Sequence, residues 1–287
     1  MNEHNDLGHS DSDETAATPL QPMSFVDILD GMFSLYRSHW RLFLGITGVY
    51  FILVYGMDLI SLFTLVNAAP STTMIVGLLA AVGSYVVIFW VVAGLVYASA
   101  EVYLNRDLTS QAALKQAWRR FWSYIGSLIL WLLVVCALFV TIIGIPFSIY
   151  FGVRWGLYGL PVMCEGTTAR HALRRSTELV KGTWWRAFGI MLAIFLISIM
   201  IQFIFQTSFL LLAQVSGTED TTLLETLRRL FIPTPGQLEW RSYAIQRFVT
   251  IGIAALTMPI NAIGSALLYF DLRIRKEAFD IEMQVTH

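Results

Sequence analysis

The sequence predicts an all-α, polytopic membrane protein: six transmembrane helices, about three interfacial amphipathic helices, and a candidate three-fold parallel repeat. Three observations carry this. Of 287 residues, 56% are hydrophobic and only 14% charged, against the roughly 25% charged that a soluble domain carries. Mean hydropathy is +0.63. Apolar runs long enough for a hydrocarbon core of ~30 Å, about 20 helical residues, alternate with short basic amphipathic segments. Bilayer solvent is therefore expected, and a large soluble core is excluded.

Residues 1–23 form an acidic tail with Glu3, Asp6, Asp11, Asp13 and Glu14 and no Lys or Arg. Its composition predicts disorder. It lacks the basic start and short apolar core of a signal peptide, so it is expected to stay on the mature protein. The membrane domain is placed at 24–283, with a short tail at 284–287. Ser24 and Asp27 make a capping box. Phe25, Ile28, Leu29, Met32, Phe33 and Tyr36 then recur at helical spacing opposite Asp27, Asp30, Ser34 and Arg37. Such a helix suits the membrane interface or a packed protein surface.

Spans are expected at about 41–69, 73–103, 123–143, 147–163, 185–213 and 243–270. Asn67-Ala-Ala-Pro70 turns between the first two, and Gly144 and Pro146 between the third and fourth. Two more amphipathic helices precede spans three and five, at 109–122 and 168–181. The segment 214–242 is the one long outer connection, and Pro259 and Asn261 fall near the middle of the last span. Lys and Arg collect after spans two, four and six and are missing from the turns after spans one and three. That pattern puts both termini on the cytoplasmic side of a cell membrane, inner or plasma. Arg228 and Arg229 in the outer segment are offset by Glu219, Asp220, Glu225 and Glu239.

Three times a Ser or Thr cap precedes a Leu and then a span-opening Trp: Ser24/Leu29/Trp40, Thr109/Leu114/Trp122 and Thr168/Leu173/Trp185. These are parallel repeats, or the recurrence of caps and interfacial Trp common to such proteins. Six spans in three units is also the plan of mitochondrial carriers, but none of the eight prolines begins their Pro-x-acid-x-x-base signature.

Charges inside a span cost ~2.5–3.5 kcal/mol on insertion scales, so each needs a reason. Asp58 lies ~26 Å along the first span. Arg154, about ten residues into the fourth, is expected near mid-membrane or in the outer half. The two are expected to pair, as part of a substrate or proton path or as a helix-packing contact. Glu101, Glu165 and Asp271 end the returning spans, as an acid ring for Arg174, Arg175 or Arg273 or as ordinary interfacial groups. Arg119, Arg120, Arg170, Arg174, Arg175 and Lys181 are expected to face anionic lipid headgroups, at roughly 1 kcal/mol each. Cys136 and Cys164 read as small hydrophobes. The five histidines have no metal-ligand spacing, and no cofactor or metal site is expected. No nucleophile elbow, P-loop, zinc helix or dinucleotide fingerprint occurs, so no catalytic residues are assigned. Nucleic acid is not an expected partner; membrane lipids are, with a membrane or peripheral protein besides.

Arg154-Trp-Gly-Leu-Tyr-Gly-Leu-Pro161, Glu165, Ala172-Leu-Arg-Arg-Ser176, Leu179-Val-Lys-Gly182, Trp185-Arg and Leu268-Tyr-Phe-Asp-Leu-Arg-Ile-Arg-Lys-Glu277 together resemble a bacterial membrane family. It is the membrane domain found fused, in some bacteria, to glycerophosphodiester phosphodiesterase. The opening Ser24-Phe-Val-Asp-Ile-Leu-Asp-Gly fits as well, and the likeness covers about 22–283. It implies a membrane portion without the phosphodiesterase domain and carries over no catalytic residues. The function expected is a non-enzymatic scaffold or accessory to lipid or envelope metabolism. The alternatives are a transporter of a small or lipid-like solute through a cavity near Arg154, and an intramembrane enzyme.

Overall fold

The computed structural model describes residues 23–141, 143–215 and 240–285. Among them all regular structure is helical: α1 (Phe25–Ser38), α2 (Trp40–Asn67), α3 (Pro70–Tyr103), α4 (Ser110–Arg119), α5 (Phe121–Phe139), α6 (Gly144–Trp155), a π turn (Pro161–Glu165), α7 (Ala169–Val180), α8 (Trp184–Val215) and α9 (Trp240–Val285). Five of these, α2, α3, α5, α8 and α9, contain segments long and apolar enough to cross a membrane. The acidic tail and most of the outer segment expected at 214–242 lie outside the described residues.

The fourth expected span is divided. α6 has 12 residues, about 18 Å. Gly156 and Gly159 lower helical propensity, and Pro161 cannot donate a backbone hydrogen bond. The chain therefore tightens into turns, with Tyr158 donating to the Trp155 carbonyl at 3.1 Å and Leu160 to that of Leu157 at 3.3 Å. A π turn follows, and Gly166 closes it at φ +71°. The positive φ favours glycine, and a Cβ there would displace the Arg120 guanidinium, 2.6 Å away. Arg120 in turn donates to the Val162 carbonyl at 2.8 Å. The α5–α6 hairpin thus returns to the level it left.

α9 is the central element. It packs on α8, α2, α3 and α1, and its inner part holds the densest buried run, Ile260 to Leu272. α3 is buried over its matching inner third, from Val91 to Val102. The outer parts of α2 and α3 present Ile52, Ile60, Phe63, Met74 and Leu78 outward, as lipid solvent demands.

The three short helices differ in what they cover. α1 packs on protein: it runs antiparallel along α9. Met23 bonds Asp271 at 2.9 Å, a Cβ on Gly31 would touch Leu267, and Tyr36 Oη donates to the Leu256 carbonyl at 3.0 Å. Ile28 and Met32 fill that contact. α4 lies across α2 and α3: Ser110 Oγ donates to the Leu42 carbonyl at 3.0 Å, and Trp90 Nε1 to that of Leu114 at 2.9 Å. α7 sits on α5 and α6, where Ser176 Oγ donates to the Arg154 carbonyl at 2.9 Å and Trp155 Nε1 to Thr177 Oγ1 at 3.0 Å. α4 and α7 therefore each cover the helix pair that precedes them in the chain, and α1 lies on α9, the last helix. Trp40, Trp118, Trp122 and Trp185 are exposed near the inner ends, as in an interfacial aromatic belt.

Candidate functional site

Two polar centres stand out, one within the apolar part of the bundle and one at its inner end. In the first, Asp58 on α2 is paired with Arg247 on α9. Arg247 Nε donates to Asp58 Oδ2 at 2.7 Å, and Nη2 donates to the same oxygen. The side chains are 19% and 23% exposed. The pair is set by aromatic packing: Phe248 stands edge-on to Phe51 and Tyr55 at 5.0 and 5.5 Å, and Tyr55 Oη reaches the Ala244 carbonyl at 3.3 Å. Asp58 lies nine residues before the end of α2 at Asn67, ~14 Å along the helix, so the pair is well inside the span.

This corrects the expected Asp58–Arg154 pair. Arg154 ends α6 and bonds Tyr150 Oη at 3.2 Å, with its guanidinium 5.7 Å from that ring's centroid. Its carbonyl holds Ser176 of α7, so it lies where α7 covers the end of α6, away from Asp58 on α2. Arg247 was missed in the sequence. Its signal is an arginine inside the apolar run Tyr243–Thr250, but its depth depends on where the long outer connection ends.

At the inner end the acids do meet bases. Asp271 has a 0% exposed side chain. It accepts from Arg186 Nε at 3.0 Å, Arg275 Nε at 3.0 Å and the Met23 backbone at 2.9 Å. Both arginines also donate to the Met23 carbonyl, at 2.6 and 2.7 Å. A buried carboxylate is tolerated when paired and hydrogen-bonded in this way. Glu165 accepts from Tyr269 Oη at 2.5 Å and Arg175 Nε at 3.4 Å. Glu101 pairs with Arg106 at 3.3 Å. Arg174 turns instead to Glu178 at 2.9 Å. The residues sequence reasoning did not assign to these acids are Arg106, Arg186, Arg275 and Tyr269.

Of the six cations expected to face headgroups, Arg119, Arg170, Arg174 and Lys181 are exposed. Arg120 and Arg175 turn into the protein, to Val162 and Glu165, because the π turn ends between them. Cys164 lies in the π turn, half-buried and unpaired with Cys136. Among the described residues no three His, Cys, Asp or Glu side chains gather as a metal site.

A cleft of about 210 Å³ opens between α3, α5, the break after α6 and α9. Tyr124, Tyr158, Asn261 and Ser265 give it polar points on apolar walls. Neither Asp58 nor Arg154 lines it.

Comparison with protein-family profiles, curated proteins and solved structures finds no match to this chain. Helix content and apolar span length define the class: an all-α integral membrane protein.

Proposed function

We propose that the chain is a non-enzymatic accessory or scaffold in lipid or envelope metabolism, held in a cell membrane by six crossings with both termini cytoplasmic. The observation that carries this is the inner face. Arg119, Arg170, Arg174 and Lys181 stand exposed on α4 and α7 or at their ends, beside Trp118, Trp122 and Trp185. Cations and indoles at one level suit anionic headgroups. The fourth crossing is the α6–π segment, whose end at Glu165 meets Tyr269 near the inner part of α9.

The network below that face favours a fixed support over a moving gate. Asp271 is tied to α8, α9 and the start of α1 together. The likeness to the phosphodiesterase-linked membrane domain points the same way. Its residues Arg154, Glu165, Ser176, Arg186, Tyr269, Asp271 and Arg275 are those that make the inner contacts. A solute path through Arg154 is less well supported, since Arg154 does not line the cleft.

The test is lipid retention. Wild-type protein in nanodiscs of mixed composition should gather phosphatidylglycerol over phosphatidylcholine around itself. Changing Arg119, Arg170, Arg174 and Lys181 together to Gln should remove most of that preference, at roughly 1 kcal/mol per cation. An unchanged preference sinks the reading.

A further inference from the structure

The cleft sits at the depth of the inner aromatic belt. Val92 lies two residues past Trp90, which contacts Trp118 at 5.7 Å, and Tyr124 lies two past exposed Trp122. Its walls are largely apolar, yet one hydrogen-bonding group in it is unfinished. Asn261 Oδ1 accepts from Ser198 Oγ at 3.0 Å, and its carbonyl accepts from Ser265 Oγ at 2.7 Å. Among the described residues its Nδ2 has no partner. The residue is exposed, though Ile260 and Ala262 on either side are buried. The amide N–H₂ is thus open at the cleft to an acceptor from outside the chain.

The inner side of the cleft is basic. Arg120 lies one turn inward of Tyr124, and Arg273 shares the surroundings of Cys164 with it. An acceptor at glycerol depth, apolar walls beside it and a positive field one turn inward describe one amphiphile.

We propose that the cleft holds a single ester-linked glycerophospholipid from the adjoining leaflet. An ester carbonyl accepts from the Asn261 amide, an acyl chain lies along Val92 and Met258, and the phosphate faces the Arg120 side. The proposal rests on the lipid-accessory reading but concerns a different surface from the exposed cations.

The experiment titrates the detergent-solubilised full chain with dioleoyl-phosphatidylglycerol or with its diether analogue, which lacks both carbonyls. Native mass spectrometry counts retained lipid. One lipid per chain is expected, with the ester form held about tenfold more tightly, the worth of one good hydrogen bond. Asn261→Leu should equalise the two forms. Ala262→Phe, which fills the cleft, should weaken both. Equal retention of ester and ether by the wild-type protein overturns the proposal without reference to any variant. So does an ester preference that survives Asn261→Leu. The four-cation Gln variant should leave the ester/ether ratio unchanged even as it loses headgroup preference, so the two readings fail separately.

Discussion

At the residue scale, the Asp58–Arg247 pair raises a sharp question of cost. Two charges within a span are tolerable as a pair, and removing either leaves the other stranded. Asp58→Asn or Arg247→Gln should each destabilise the protein by about 3 kcal/mol. A double Leu replacement should be closer to wild type than either single change, and Arg154→Gln should have little effect. Denaturant unfolding in micelles measures this; strictly additive losses would show that the two residues do not act as a pair. The acid was legible in the sequence as a charge needing a partner. The partner was not, because pairing across helices depends on relative depth. Depth could be counted from the tight turn at Asn67–Pro70 but not from the long connection before α9. Arg154 stays apart from Asp58 because its side chain turns to Tyr150 on its own helix and its carbonyl is held by Ser176, contacts that residue counting along one span cannot reveal.

At the element scale, the long apolar helices were readable because length and hydropathy alone decide them. What covers an amphipathic face is not readable that way. Ile28 and Met32 are spaced alike for lipid and for protein, and only the complementary face on α9 settles which they meet. The start of α1 is a pH-sensitive joint. Hydrogen bonds from Ser24, side chain first and then backbone, hold the Asp27 carboxyl below its ordinary value of 3.8. A depressed carboxylate contributes stability that is present above the ordinary value and lost as pH falls through the folded one. The first turn of α1 should therefore fray below about pH 4, and Ser24→Ala should fray it at neutral pH. Amide exchange over residues 25–30 reports both; no change on acidification would contradict the capping role.

For the whole molecule, Met23 is where the ring of helices closes. Its carbonyl and amide draw Arg186, Arg275 and Asp271 to one point. Asp271→Asn leaves two guanidinium groups without their carboxylate, a loss of roughly 3–5 kcal/mol for a broken buried network. It should also free α1. A cysteine at Met32, fully buried in the native chain, should become reactive to a membrane-impermeant thiol reagent in that background and stay protected otherwise. Equal protection in both would mean that α1 is held by its apolar face alone. The alternation of short amphipathic helices with long apolar ones was visible in the sequence as caps and tryptophans. The rule that α4 and α7 cover the helices before them while α1 lies on the last was not, since no local pattern encodes contact between α1 and α9.

That rule bears on how the chain is made. α4 and α7 emerge after the hairpins they cover and can dock at once. α1 emerges well before its partner surface on α9. Throughout synthesis Ile28, Met32 and their neighbours have an apolar face and no protein to bury it against. The nearest apolar phase is the membrane boundary itself. The membrane interface, one of the two positions the sequence allows for α1, is thus the place physics assigns it until α9 emerges, and its seat along α9 is the other.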